Sequence, residues 1–228
     1  EHQRLAALYA MASGQAPLVV AAIDAAVQRC VPKDVLLETV IALKVGESYP
    51  IEPLTARLTA AGYVRCQQVE GPGQFALRGG ILDVFSPAME QPVRCEFWDD
   101  ELDAMGAFDV TTQRRVHNLE ETLLLPAGEV LPFRGADTAE KAAAALEAAG
   151  KKLKKKEHTE PLLRQLETDA NALRQGIAPN GCDRYLVAVY PEKTTALDYL
   201  PEDAILCVCE GGRVSEGLKG WLWQLKED

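Results

Sequence analysis

The sequence lacks the patterns that mark membrane-spanning, secreted and nucleotide-hydrolysing proteins. It has no apolar run of about 18 residues, which excludes a membrane-spanning helix. Its first residues contain no basic region followed by an apolar segment, so they do not form a signal peptide. The phosphate-loop pattern GxxxxGK[ST] does not occur, and the diglycine Gly211-Gly212 alone is weak evidence for phosphate binding. We therefore do not expect this chain to hydrolyse ATP.

Residues for catalysis are also scarce. The three histidines, His2, His117 and His158, do not stand near a recognisable Ser or Cys nucleophile pattern. The densest acidic cluster, Asp99–Asp103, lacks the spacing of a calcium loop, which favours a solvated turn over a metal site. We predict a protein that is not an enzyme and that needs no cofactor.

The cysteines give no metal-binding or disulfide pattern. There are six, and no CxxC pair occurs among them. Most lie inside apolar runs, where a thiol behaves as a small hydrophobic side chain. Cys207 and Cys209 share one face of an extended run, but no second ligand pair accompanies them. The pattern predicts reduced cysteines in a cytoplasmic protein.

The charge balance is unfavourable for a protein that coats nucleic acid. The formal net charge is −10, and residues 49–124 hold 6 Arg and no Lys against 12 Asp and Glu. The run KKLKKK at Lys151–Lys156 could attract phosphate or an acidic partner. A charge run on a helix is more often a solvated face, and that interpretation is favoured.

The stretch from Tyr63 to Asp109 has the strongest β-pattern. Its apolar runs Tyr63–Val69, Phe75–Phe85 and Val93–Trp98 are separated by Gly and Pro, which predicts adjacent antiparallel strands. We expect Gly79-Gly80, inside the second run, to form a bulge that resets the register. A helix with a buried stripe of Leu54, Leu58 and Ala61 precedes these strands.

The third run has two different faces. Val93, Cys95 and Phe97 alternate with Arg94, Glu96 and Trp98, so one face is apolar and the other carries a cation, an anion and an indole. The polar face is the surface in this chain most typical of a binding site.

Segments on both sides of this region predict an α/β layer. The runs at Pro17–Ile23, Arg184–Tyr190 and Ala204–Cys209 have the composition of buried strands, and we expect them to share one sheet. The predicted fold is therefore α/β and α+β, a discontinuous α/β domain with an inserted β-rich domain. The predicted parts are 1–48 (first part of the α/β domain), 49–125 (inserted domain) and 126–228 (remaining α/β part, helical and then strands). Because it has no initiator Met and enters directly into a helix, we expect the chain to be part of a longer protein.

Four stretches resemble a known family. Gly73–Arg114, with ALRGG, LDVF and VRCEF, resembles the module shared by the excinuclease component UvrB and the transcription-repair coupling factors (Mfd), as does its approach at Ala42–Val69. LLPAGEVL at Leu124–Leu131 and YLPEDAILCV at Tyr199–Val208 are closer to the coupling factors. The resemblance covers nearly the whole chain and is strongest from Ala42 to Leu131.

This resemblance implies an interaction module. In the family the central domain docks onto UvrA, another excinuclease component, and so recruits excision repair to stalled RNA polymerase. The matching positions are Arg78, Phe85, Arg94 and Glu96, with Arg65 in the strand before them. Arginine suits such a contact because its planar guanidinium pairs with two carboxylate oxygens at once. The alternative is that Arg78 and Glu96 only pair with each other across neighbouring strands.

The resemblance also implies what this chain does not carry. The phosphate loop and the damage-gripping hairpin of UvrB are missing, so the α/β domain is expected to be a degenerate helicase-like domain. A full coupling factor is expected to be an ATP-dependent DNA translocase, with contacts to RNA polymerase and DNA through other domains and an intramolecular contact that masks the docking face. A rival hypothesis is a degenerate nucleic-acid-binding domain that uses Lys151–Lys156 and Arg114 with Arg115.

Overall fold

The β-strands lie in the middle of the chain, where apolar and polar residues alternate between short turns. The computed structural model describes residues 2–153 and 159–227. Within them, the strands are β1 Ile41–Lys44, β2 Val64–Arg65, β3 Gln74–Arg78, β4 Ile81–Phe85, β5 Val93–Trp98, β6 Glu101–Phe108, β7 Arg115–Asn118 and β8 Glu121–Leu124. The helices are α1 His2–Ala12, α2 Ile23–Val27, α3 Lys33–Thr39, α4 Ile51–Ala60, α5 Thr138–Leu153, α6 Glu160–Arg174, α7 Leu186–Val189 and α8 Gly211–Glu227, with 3-10 turns at Cys182–Tyr185 and Ala196–Tyr199. This mixture of helices and sheet confirms the α+β prediction.

Six strands form one sheet in the order β2-β3-β4-β5-β6-β7. Strands β2 and β3 are parallel, and every later neighbour is antiparallel, as short connections require. Strand β1 pairs instead with β8 in a separate antiparallel ladder. The predicted strand near Leu43 therefore joins the β-rich region and not an α/β layer.

One face of the six-stranded sheet, which we call the inner face, is covered by α4. Leu54, Leu58 and Ala61 form the predicted buried stripe and pack with Phe75 and Leu82 of the sheet. The opposite face, which we call the outer face, carries the other residue of each alternating pair. Because paired residues share a face, the register assigns Arg78, Ile81, Asp83, Arg94 and Glu96 to the outer face.

The expected bulge at Gly79-Gly80 is wrong. Arg78 pairs directly with Ile81, so the two glycines are the two-residue turn of a β3–β4 hairpin. Gly79 has φ of +60°, which suits the first central residue of a type II′ turn. Alternation is interrupted at this point because the chain reverses its direction.

The hairpin tip depends on a side-chain-free position at residue 80. A Cβ atom there would lie 2.7 Å from the backbone oxygen of Phe97, while the Phe97 N–H donates to the Gly80 oxygen at 2.7 Å. We expect Gly80→Ala to lower the free energy of unfolding by about 1–3 kcal/mol because the strands must separate. Urea unfolding measures the loss. Gly79→Asn is the control, since Asn tolerates positive φ and nothing lies within 4 Å of a Cβ there; equal losses in both variants would contradict this account.

A second core is built by helices from both ends of the chain. The inward positions predicted for the first helix are confirmed, because Leu5 and Leu8 are buried. They join one cluster with Leu36 of α3, Leu146 of α5 and Tyr199. The hydroxyl of Tyr199 donates to the backbone oxygen of Val31 at 2.7 Å, which ties the late part of the chain to the early part.

The predicted strands of the α/β layer do not form in the described residues. Pro17–Ile23 and Ala204–Cys209 lie outside any strand and are exposed, with Val20 and Ile205 each 91% accessible. An apolar run forms a strand only where a neighbour supplies hydrogen bonds, and the described residues supply none there. Arg184–Tyr190 is helical because Tyr185 and Val189, four positions apart, are buried on one side.

Three smaller predictions also meet the structure. Asp24 does not cap α2, because the N-cap is Ala22 and Asp24 lies in the first turn. Lys151 and Lys152 end α5, whereas Lys154–Lys156 and His158 lie outside the described residues. All six cysteines are free thiols, and burial raises the pKa of Cys95 to about 12. In the described part of the chain, no helix is both long and apolar enough to cross a membrane.

Candidate functional site

The outer face is organised around a buried carboxylate. Asp83, at the middle of β4, is fully buried between Leu82 and Val84. Arg94, its register partner on β5, donates from Nε to Oδ1 at 2.7 Å and from Nη2 to Oδ2 at 2.9 Å. Arg78 at the end of β3 donates from Nη2 to Oδ2 at 2.7 Å. A buried charge is tolerated only when it is paired, and two guanidinium groups meet that requirement here.

The β6–β7 turn holds Arg94 from a second side. Gln113, in the left-handed region with φ of +60°, accepts from Arg94 through its backbone oxygen at 3.2 Å and its side-chain oxygen at 3.1 Å. The Arg94 guanidinium carbon also lies 4.5 Å from the centroid of the Phe108 ring. The hydrogen bonds from Asp83 raise the pKa of Arg94 above its usual value. Arg94 is therefore a fixed cation within the sheet face.

The turn itself is ordered by Asp109. Its carboxylate accepts from the backbone N–H of Thr112 at 2.7 Å and from the Thr112 hydroxyl at 2.9 Å. These hydrogen bonds lower the pKa of Asp109, the backbone bond from Thr112 first. The turn predicted at Thr111–Gln113 is confirmed, and it positions the acceptor groups for Arg94.

Glu96 does not pair with Arg78. Its carboxylate accepts from Arg115 of β7, across β6, and Arg115 also donates to Asn118 at 3.2 Å. The side chain of Glu96 is 45% exposed and that of Arg78 is 46% exposed. The direct Arg78–Glu96 pair that the sequence left open is absent, and each residue stays half-exposed beside a different partner.

The other two predicted site residues lie elsewhere. Phe85 is 8% exposed and packs with Val69, Ala76 and Phe108 in a small cluster that covers one end of the outer face. Its ring is therefore a support for the face and is not presented to solvent. Arg65 is exposed at the other side of that end, on edge strand β2, where its register partner is Phe75.

The uncovered end of the outer face carries an exposed surface that crosses four strands. We call it the outer patch and define it as Arg78, Ile81, Glu96 and Arg115. Ile81 is 38% exposed and pairs in register with both Arg78 and Glu96. The patch thus alternates cation, apolar residue, anion and cation along neighbouring strands. Such a mixed surface fits a partner protein better than it fits a phosphate backbone.

Asp83, Gln113 and Phe108 were missed in the sequence. Asp83 stands between Leu82 and Val84 in an apolar run, and an acid in such a position is a signal for a buried ion pair. The contribution of Gln113 had no signal, because it depends on the conformation of a turn. No group of His, Cys, Asp and Glu in residues 2–153 and 159–227 is arranged to hold a metal ion.

Comparison with known proteins gives the class first. The sequence model of the UvrB interaction domain matches residues 41–129, the range that contains β1–β8 and the outer patch. This part of the chain is a UvrB interaction domain.

The whole chain is homologous to transcription-repair-coupling factors. That of Bacillus subtilis (strain 168) is 32% identical over 216 residues, which cover 94% of this chain and 18% of that protein. That of Myxococcus xanthus is 33% identical over 200 residues, which cover 87% and 16%. That of Escherichia coli (strain K12) is 35% identical over 126 residues, which cover 55% and 11%. The resemblance found in the sequence is confirmed, and the chain spans less than a fifth of the length of these relatives.

Proposed function

We propose that this chain is the non-catalytic interaction module through which a transcription-repair coupling factor recruits UvrA to stalled RNA polymerase. The observation that carries the proposal is the outer patch, a half-exposed surface of mixed charge within a UvrB interaction domain. Its residues are held by strands and ion pairs, so little conformational entropy is lost when a partner binds.

Within this proposal the predicted residues have different roles. Arg78 and Glu96 contact UvrA, since their side chains are half-exposed and lie on the same face. Arg94 and Phe85 support the contact surface from beneath, because both are largely covered. Arg65 contacts only a partner that extends beyond edge strand β2.

The longer protein supplies the other activities in this proposal. ATP-driven translocation, and the contacts with DNA and RNA polymerase, belong to parts of the relatives that this chain does not match. An intramolecular contact with those parts covers the outer patch until UvrA is needed. The module itself uses no cofactor and works in the cytoplasm.

Binding of this chain to purified UvrA tests the proposal. We expect micromolar or tighter affinity, and a loss of about tenfold or more in Arg78→Ala, because a charge-assisted hydrogen bond at the interface is removed. Asp83 keeps both hydrogen bonds from Arg94 in this variant, so the fold is retained. Isothermal titration calorimetry gives the affinities.

The matched control is Arg57→Ala. Arg57 is an exposed arginine on α4, over the inner face, and its side chain makes no ion pair within the described residues. Its removal should leave the affinity unchanged. Equal binding by the unchanged chain and Arg78→Ala would move the docking surface away from the outer patch. No binding to UvrA, with salt-sensitive binding to DNA instead, would favour the rival nucleic-acid function through Arg114 and Lys151–Lys156.

A further inference from the structure

The most exposed aromatic side chain of the UvrB interaction domain lies next to the outer patch. Trp98, the last residue of β5, is 82% exposed, and its register partner is Glu101. It follows Arg94 and Glu96 along the strand at two-residue spacing, so it extends the outer face beyond the patch. An indole left in water at such a position is uncommon, since aromatic side chains supply much of the apolar burial in cores and interfaces.

The hairpin that carries Trp98 is fixed by backbone hydrogen bonds on both sides. The segment 46–49 is bonded to β6, with Gly46 N–H to the Leu102 oxygen at 2.8 Å and Leu102 N–H to the Glu47 oxygen at 2.9 Å. Tyr49 N–H donates to the Asp100 oxygen at 2.7 Å. On the other side the Phe97 N–H donates to Gly80. The indole is therefore presented by a rigid tip, as a preorganised anchor requires.

The tip is acidic. Asp99, Glu101 and Asp103 are exposed, and none of them makes an ion pair with any residue of 2–153 or 159–227. Asp99 forms the turn with φ of +57°. Unpaired carboxylates around an exposed aromatic residue complement a partner surface that has an apolar pocket with basic residues on its rim.

We propose that Trp98 is the anchor residue of the UvrA-docking surface, inserting into an apolar pocket of UvrA with basic residues on its rim. This inference rests on the proposed function and extends its surface from the outer patch to the β5–β6 tip. Interface hot spots are enriched in tryptophan and in residues whose surroundings exclude water once bound. The outer patch and the acidic tip are placed to form that surrounding ring.

The experiment measures binding of this chain to purified UvrA by calorimetry. Trp98→Ala is expected to weaken the affinity about 30-fold, and Trp98→Phe less, since a phenyl ring fills part of the same pocket. Trp223→Ala is the matched control, because Trp223 is 63% exposed on α8 outside residues 41–129 and should leave the affinity unchanged. Circular dichroism melting verifies that the three variants fold alike.

Stopped-flow association tests the charge of the partner. Asp99→Asn together with Glu101→Gln should slow association with UvrA several-fold and flatten its salt dependence. An unchanged rate would overturn the basic rim.

The possible outcomes separate this inference from the function on which it rests. Tight binding by both the unchanged chain and Trp98→Ala would overturn the anchor and leave the UvrA module intact. No binding by the unchanged chain would overturn both. If the free chain sediments as a dimer that Trp98→Ala converts to a monomer, the pocket belongs to a second copy, and the inference is wrong.

Discussion

Replacement of Arg94 with alanine is expected to lower the free energy of unfolding by about 3–5 kcal/mol, because it leaves a buried carboxylate without its main partner. Asp83 is fully buried and would keep only the single hydrogen bond from half-exposed Arg78. The variant also loses both hydrogen bonds to Gln113 and the contact with Phe108. Urea-induced unfolding followed by circular dichroism measures the loss.

Two further variants separate charge from geometry at this site. Arg94→Lys restores a cation but not the two-point contact, so its stability should lie between those of the unchanged chain and Arg94→Ala. Arg78→Ala removes the more exposed partner of the same carboxylate and should cost only about 1 kcal/mol. A loss in Arg94→Ala no larger than that in Arg78→Ala would show that the buried pair does not hold the outer face together.

Reversal of one charge in the outer patch is expected to have the largest effect on binding. Glu96→Lys places a cation beside Arg115, its present partner, in the middle of the surface proposed to contact UvrA. Like charges opposed at an interface cost several kcal/mol, so we expect the affinity for UvrA to fall about 100-fold. Stability should change by about 1 kcal/mol or less, because an exposed pair is lost.

Glu52→Lys provides the control for this reversal. Glu52 is exposed in the first turn of α4, over the inner face, so the same change in net charge occurs away from the outer patch. Its affinity for UvrA should be unchanged. A similar loss in both variants would mean that net charge, and not the outer patch, governs binding.

The β-rich region was predictable because its signals are local. Alternation in Val93–Trp98 and the stripe of Leu54, Leu58 and Ala61 each report a single buried face, and the structure has both. The Gly79-Gly80 turn was misinterpreted because alternation alone does not reveal where a strand reverses its direction. The register of Arg78 with Ile81 distinguishes a turn from a bulge.

The predicted α/β layer shows where sequence patterns are insufficient. Pro17–Ile23 and Ala204–Cys209 are apolar throughout, which suits a buried strand, yet a strand is defined by hydrogen bonds to a neighbour. Arg184–Tyr190 has the same composition and becomes helical, because contacts of Tyr185 and Tyr190 with α6 and Leu131 decide its conformation. Tertiary contacts thus override a preference that spans only seven residues.

At the candidate site, the types of residue were predictable but their partners were not. Alternation placed Arg94 and Glu96 on one face, whereas the pairing of Arg78 with Asp83 and of Glu96 with Arg115 depends on the order of the strands. The burial of Phe85 depends on Val69 and Phe108, which approach it only in the folded sheet.

Site-specific photo-cross-linking to UvrA tests the central claim most directly. A benzophenone-bearing amino acid replaces Ile81 in the outer patch in one sample and exposed Ala56 on α4 in another. The account predicts that position 81 cross-links to UvrA on illumination and that position 56 does not. Cross-links from position 56 alone, or equal yields from both positions, would show that the outer face is not the docking surface.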